Sequence, residues 1–482
     1  MSEPIVEAEN LKKKAANSLF WSGISSVIQQ VLNLAFGIFL ARLLSESDYG
    51  MVNLLAVFIG MAYLIQEGGF RVALINKKDA THEDYNSVFW TSFFIGVFLF
   101  LVLFILTPTL ANFFNEPELI KLGRFQFLGF LIASLSTIPW AILTKNLKNK
   151  EIAKSTFIAI VISDTLGLIL AINGFSYWGI ASQSVCYVLV LTISMWFYCP
   201  WHPSFKISFK PVLKFLPFSI KLLISNIFTS INDNIFSFLL GKSYSKNIVG
   251  IYAQANKWTT LGQQTISTAI EGVAQPLLVK ADNQQLKVFN KLMRFSVFLS
   301  FPCLLGFALI SPEIIPIAIG DKWIPCISIL QILCVWASFY PIYQLYTKQL
   351  LSCKKSGTLM WITIFKCLIQ LLVVYFSLSH GLIYVAFGYV LVNILFLIII
   401  HVFVSKQTGL TYLMVIKNIA PYLLITIVSL LGGYFVSSYF SNIYLKLLIK
   451  ILITGVMYIL LLKIFGSVML KESLQYLKKL KK

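Results

Sequence analysis

Residues 22–75 read SGISSVIQQVLNLAFGIFLARLLSESDYGMVNLLAVFIGMAYLIQEGGFRVALI. The stretch is an apolar run long enough to cross a bilayer, a short polar turn at Ser45-Glu46-Ser47-Asp48-Tyr49-Gly50, and a second such run. The first run carries Ser22, Ser26, Gln29 and Asn33, spaced four, three and four, which places all four on one face of an α-helix. Hydrocarbon offers an amide or hydroxyl no partner, so that face looks into protein or water.

The rest of the chain repeats the theme. Of 482 residues, 58% are hydrophobic and 12% charged, against about 25% charged in a soluble domain. Apolar runs of roughly 18 residues or more recur throughout, the length that spans a bilayer. Backbone groups in lipid must be satisfied within the segment, so the expected class is all-α integral membrane. The ~10-residue alternation of a β-barrel is missing. Fourteen spans are expected: 15–43, 49–75, 87–112, 120–144, 152–173, 176–199, 214–241, 248–278, 290–311, 324–351, 356–378, 382–404, 418–438 and 443–466.

The net charge of +20 would suggest nucleic acid in a soluble protein. Here the lysines sit in alternate connections, as the positive-inside rule requires. With the N-terminus cytoplasmic, the inner segments hold Lys12–Lys14, Lys77 and Lys78, Lys145–Lys154, Lys206–Lys214, Lys280–Arg294, Lys348–Lys355, Lys406 and Lys417, and a basic tail. The outer turns hold chiefly Arg42, Lys242, Lys246, Lys322 and Lys446. A polar start through Lys14 and an over-long first apolar run do not read as a cleavable signal. The seven cysteines form no CxxC pair and read as small buried hydrophobes. The widest inner connection, Pro200–Pro211, separates an N-terminal lobe (1–199) from a C-terminal lobe (214–405), with 200–213 as linker and 406–482 as two further spans and tail. In the tail, Leu470, Leu474, Leu477 and Leu480 share one face among lysines; it reads as a helix on the anionic inner leaflet or as a frayed basic end.

A shift of 200 lays Phe36 on Phe236, Leu40 on Leu240, Ser45 on Ser245, Gly50 on Gly250 and Arg42 on Lys242. A shift of 202 lays Thr156 on Thr358 and Gly179 on Gly381. Both align span one with span seven, so the lobes are expected to be parallel repeats with a cavity between them. The second shift also lays Asp164 on Lys366, open to an ion pair across the lobes or to local pairing of each.

Span seven repeats the polar face with Asn226, Ser230, Asp233 and Ser237. Span eight carries Lys257, Thr260, Gln264, Ser267 and Glu271, and span two a thinner stripe of Asn53, Gly60, Glu67 and Arg71. A mid-bilayer charge costs roughly 2.5–3.5 kcal/mol on insertion scales. Glu67, Asp164, Asp233, Glu271, Lys221, Lys257 and Lys366 therefore need water, a partner or a ligand, or serve as glue between helices. Lys450 and Arg71 lie near span ends, where a long side chain reaches the interface. Lys257 lies about ten residues into its helix, roughly 15 Å deep, which suits an anionic ligand near the midplane. No Walker A loop, GxSxG elbow, HExxH or metal-ligand cluster occurs, and the four histidines are scattered. A transporter without its own ATPase, cofactor or metal is expected.

The pattern Ala41-Arg42-Leu43-Leu44 with Asp48-Tyr49-Gly50, Glu67-Gly68-Gly69-Phe70 leading to Ala73–Asp79, Asp233-Asn234 before Gly241-Lys242, and Gly250-Ile251-Tyr252 with Ala255 carries a resemblance. Over about residues 12–410 the chain resembles the polysaccharide flippases of the multidrug/oligosaccharidyl-lipid/polysaccharide exporter superfamily. It looks closest to the branch that includes WzxC-type lipopolysaccharide biosynthesis proteins. The resemblance implies two six-helix lobes around a cavity lined by spans 1, 2, 7 and 8, plus two C-terminal helices. It implies a polyprenyl-diphosphate-linked oligosaccharide as cargo, flipped from the inner to the outer leaflet of a bacterial inner membrane. Lys257, Lys221, Lys366 and Arg71 are then the residues for the diphosphate. Asp233, Glu271, Glu67 and Asp164, with the amides Asn33, Gln29, Asn226 and Gln264, are those for H+ or Na+ coupling and the polar cavity. Arg42, Asp48, Gly50, Lys242 and Gly250 fall at outer turns, read as a hinge or gate. Membrane lipids and polysaccharide assembly proteins are the expected partners, and nucleic acid is not. Two other readings stand beside this one: an ion-coupled drug or cation antiporter centred on the acidic residues, and a membrane glycosyltransferase, which connections of only about fifteen residues disfavour.

Overall fold

A computed structural model describes residues 21, 25–67, 69–77, 79–213, 227–228, 230–231, 236–280, 285–353, 355–472 and 475. Of the residues singled out above, Ser22, Lys221, Asn226 and Asp233 lie outside the described residues, as do the side chains of Glu67 and Glu271 and nearly all of the tail after Glu472. Every regular element among the described residues is a helix. Eleven of these are long and apolar enough to cross a membrane, or up to twelve when one bent pair counts as a span. The expected fourteen is compatible with that number. Most of run 214–241 is outside the described residues, and the helix Lys246–Lys280 is present but carries a polar stripe.

The chain divides into two compact units, Met1–Gly250 and Ile251–Lys482. In the first, α1 (Ser25–Leu43) is followed by α2 (Glu46–Asn53), α3 (Ala56–Glu67) and α4 (Phe70–Asn76). The polar turn expected over 45–50 is shorter than its sequence implied. Ser45 is an N-cap: its hydroxyl accepts from the Asp48 amide at 3.2 Å, and the Asp48 carboxylate accepts from the Ser45 amide at 2.8 Å. This reciprocal capping box starts the helix at Glu46 and draws Asp48, Tyr49 and Gly50 into it.

Run 49–75, expected as one span, is broken into three helices. The second break sits at Gly69, whose φ of 72° is left-handed backbone that glycine adopts without a Cβ penalty. After α5 (His82–Phe114), the expected span 120–144 is likewise two helices, α6 (Leu119–Ser134) and α7 (Thr137–Lys145), bent by 42°. Pro139, in the first turn of α7, has no N–H to give Leu135 and its ring crowds that carbonyl, which disfavours running α6 on through it. Then α8 (Asn149–Ile172) and α9 (Trp178–Tyr198) pair along their length. The segment 200–213, expected as a linker, lies within this unit and is bound to α5. Asn86 donates to the Lys206 carbonyl and accepts from the Ser204 amide, both at 2.8 Å, and the Trp90 indole donates to the Ser204 carbonyl at 2.8 Å. A helix over 236–243, α10, and the start of α11 (Lys246–Lys280) complete this unit.

The second unit contains α12 (Gln285–Ser300), a π-turn at Phe301–Leu305, α13 (Gly306–Ile319), α14 (Cys326–Ser352), α15 (Ser356–Ser377), α16 (Leu382–Thr408), α17 (Tyr412–Ser438) and α18 (Ile443–Ile464). Its core gathers Phe289, Met293, Phe301, Tyr346, Phe396 and Tyr422. Lys450, expected near a span end and reaching for the interface, is instead 5% exposed. Its ammonium donates to both oxygens of Glu313 at 2.7 and 2.8 Å and to the Leu309 carbonyl at 3.1 Å. A charge that deep is tolerated when a partner is at hand, and Glu313 on α13 is that partner.

Candidate functional site

The first unit encloses a cavity of about 840 Å³, within the size range of ligand pockets. Four of the residues expected from sequence meet on its wall: Gln29 and Asn33 from α1, Arg71 from α4 and Asp164 from α8. Asn53 and Gly60 of the span-two stripe join them.

The helix breaks build this wall. The left-handed step at Gly69 ends α3 and restarts the chain as α4, one residue before Arg71 lines the cavity. The break at Leu135-Ser136 does the same on the adjoining helix, placing Ser136, Thr137 and Trp140 on the lining. Irregular backbone at membrane depth is tolerated where it is buried in protein or lines a cavity. Arg71, expected near a span end, lines the cavity. Its guanidinium lies 5.2 Å from the centroid of the Trp140 ring, a cation–π arrangement.

Asp164 is 3% exposed. Its Oδ1 accepts from Gln183 Nε2 at 2.6 Å and from Ser163 Oγ at 3.4 Å. The Gln183 contact depends on a close approach of α8 and α9. A Cβ on Gly167, one turn from Asp164, would lie 3.0 Å from both Gln183 Cβ and the Gly179 carbonyl oxygen. The cavity lining thus carries both a cation, Arg71, and a carboxylate, Asp164.

Sequence reading missed Gln126, Gln183, Tyr63, Tyr187 and Trp140, all of which line the same cavity. Gln126 and Gln183 are lone amides inside apolar runs 119–134 and 178–198. An amide alone in a lipid-length run is itself a signal, but neither forms a stripe.

The second-half residues lie elsewhere. Lys257 and Gln264 are exposed on α11. Lys366 is 7% exposed, with its ammonium 4.7 Å from the Tyr343 ring centroid and 5.5 Å from that of Trp336.

The residues expected at outer turns come together as well. Gly50 and Gly250 meet so closely that a Cβ on Gly50 would strike the Lys246 carbonyl oxygen, and one on Gly250 the Glu46 carbonyl oxygen. Lys246 pairs with Glu116 at 2.9 Å, and Lys242 donates to the Phe113 carbonyl at 2.9 Å while lying over the Phe113 ring. Asp48 also accepts from Ser176 Oγ, and Arg42 sits in the last turn of α1.

A family model described as polysaccharide biosynthesis protein matches residues 39–328. The chain is 25% identical over 407 residues to an uncharacterized membrane protein in the cps region of Klebsiella pneumoniae, covering 82% of this chain and 83% of that one. It is 25% identical over 334 residues to the teichuronic acid biosynthesis protein TuaB of Bacillus subtilis (strain 168), covering 68% of each. It is 24% identical over 335 residues to the lipopolysaccharide biosynthesis protein WzxC of Escherichia coli (strain K12), covering 68% and 67%. Its fold is similar to that of the lipid II flippase MurJ in an inward closed conformation, with a TM-score of 0.77 at 18% identity over 93% of this chain and 98% of that one.

Proposed function

Because the chain belongs to the polysaccharide biosynthesis protein family, we propose that it flips a polyprenyl-diphosphate-linked oligosaccharide across the membrane for surface polysaccharide assembly. The observation that carries this reading is the cavity of about 840 Å³ with Arg71 and Asp164 on its wall, inside a multi-pass helical membrane protein. Transport runs by alternating access between an N-terminal lobe (1–199) and a C-terminal lobe (214–405), with residues 406–482 as an accessory. The protein sits in a bacterial inner membrane with both termini cytoplasmic, as the lysine distribution favours.

Arg71 takes the diphosphate. Its planar donors match phosphate oxygens two at a time, and the Trp140 ring of the cavity lining lies beside the guanidinium. Lys257, Lys221 and Lys366 add positive charge along the route. Asp164 couples transport to H+ or Na+, with Gln183 fixing the carboxylate rotamer. Glu67, Asp233 and Glu271 are further coupling candidates. The contact of Gly50 with Gly250, flanked by Asp48, Arg42 and Lys242, is an outer gate. It closes when the two copies of the hairpin meet and opens to release cargo. Membrane lipids surround the protein, and polysaccharide assembly proteins receive the product.

The test is complementation of a cell deleted for this gene. Restoring the native chain restores surface polysaccharide. Arg71→Gln and Asp164→Asn each lower it at least tenfold and leave lipid-linked oligosaccharide accumulated on the inner face. Normal surface polysaccharide in the deleted cell, or with both variants, sinks the assignment.

A further inference from the structure

Gln126 belongs to the cavity lining but has no part in the diphosphate binding or cation coupling proposed above. Gln126, on α6, is 6% exposed, lines the cavity, and has no hydrogen-bond partner among the described residues for either Nε2 or Oε1. A buried amide with both ends unmade is unfavourable. The neighbouring backbone is not free to relieve it, because Phe127 and Phe130 on the same helix are fully buried. The chemistry of the amide narrows what completes it. A diphosphate only accepts and leaves Oε1 unmade. A metal cation takes Oε1 and leaves the NH₂ unmade. Neighbouring hydroxyls of a sugar ring both donate and accept, and satisfy the two ends together. The apolar face of such a ring also finds Trp140, Tyr63 and Tyr187 among the residues lining the same cavity.

We infer that Gln126 is a specificity-determining residue that reads a hydroxyl pair on the sugar nearest the diphosphate held at Arg71. The inference rests on the flippase reading above. It adds a glycan subsite inside the first compact unit, so that the cavity reads the cargo's first sugar as well as its charge.

The test uses the full chain in nanodiscs and four probes: bare polyprenyl diphosphate, and the same lipid bearing one glucose, one galactose or one N-acetylglucosamine. The native chain is expected to bind at least one sugar probe about tenfold more tightly than the bare lipid, roughly what one or two neutral hydrogen bonds supply. Gln126→Leu is expected to erase that difference while leaving affinity for the bare lipid within about twofold. Gln126→Glu, nearly isosteric, keeps an acceptor and loses the donors; it is expected to erase part of the difference and guards against a folding defect in the leucine variant. Arg71→Gln is expected to weaken all four probes alike. Equal binding of bare and sugar probes by the native chain, or a Gln126→Leu loss equal for all four, overturns the glycan subsite and leaves the flippase reading standing. Failure of the native chain to bind any probe overturns both.

Discussion

Gly50 and Gly250 illustrate what one residue type does at one position. Each would place a Cβ against a backbone carbonyl oxygen of the other turn, Lys246 for Gly50 and Glu46 for Gly250. Backbone cannot swing aside as a side-chain tip does. Gly50→Ala is therefore expected to pry the two turns apart and to destabilise by about 1–3 kcal/mol, the usual cost of overpacking. A thermal unfolding series in detergent measures it. Gly129→Ala is the internal comparison, since its Cβ would meet only the tip of Tyr63, its hydroxyl oxygen, at 3.1 Å. If the two alanines cost the same, the backbone contact is not what sets the turns. This pair was partly legible in the sequence: the shift of 200 laid Gly50 on Gly250, though nothing said that they touch. Asp164 was legible as a costly charge in an apolar run, whereas Arg71 read as a charge near a span end. Gln126 was not legible, because a single amide has no periodicity and its meaning depends on α6 facing the same space as α4 and α8.

Among the elements, the path α12–π-turn–α13 shows how a break is braced. The π-turn at Phe301–Leu305 interrupts the helix, and Pro312 and Pro316 lie beyond it in α13. Helices α17 and α18 grip both sides. Asn418 on α17 accepts from Arg294 Nε at 2.6 Å and donates to Asn290 at 2.5 Å, both on α12. Tyr458 on α18 donates to the Phe298 carbonyl at 2.8 Å, while Lys450, two turns earlier on α18, holds Glu313 on α13. Removing one partner of a buried pair leaves a charge unpaired. Lys450→Met or Glu313→Gln alone is expected to cost about 3–5 kcal/mol. The double variant Lys450→Met with Glu313→Leu is expected to recover most of it, because no buried charge remains. Hydrogen exchange adds the location: the single variants speed exchange in α13 more than in α12. A double variant as unstable as either single one means that the contact works by shape and not by charge. Of these features the sequence displayed Lys450 plainly, but its partner lies more than a hundred residues away. The same holds for the broken spans: Gly68-Gly69 and Pro139 are breakers in the sequence, yet hydropathy averaged across them reads as one continuous span.

For the whole molecule, the alternating access proposed above asks that the proposed outer gate, the contact of Gly50 with Gly250, be secure when closed and cheap to open. Its polar part is cheap. The Lys246–Glu116 pair is 31% and 22% exposed at its two side chains, and such partly exposed pairs contribute about 0.2–1 kcal/mol. Security comes from packing: Phe238 stacks on Phe113 with ring centroids 5.3 Å apart, and Gly241 leaves room for Leu54 and Phe114. A contact of this kind opens without paying for a stranded buried charge, which is the property a gate needs. The consequence is testable by making the opening impossible. In a background with the seven native cysteines replaced, Glu116→Cys and Lys246→Cys are joined by a short bis-thiol reagent. Removing this weak ion pair is expected to leave flipping of the lipid-linked glycan in proteoliposomes within about twofold of the background. Cross-linking is expected to stop it, and a reducible cross-linker to restore it on reduction. Undiminished flipping with the bridge quantitatively in place means that the contact of the first hairpin with its sequence repeat stays closed throughout the cycle, and the gate lies elsewhere.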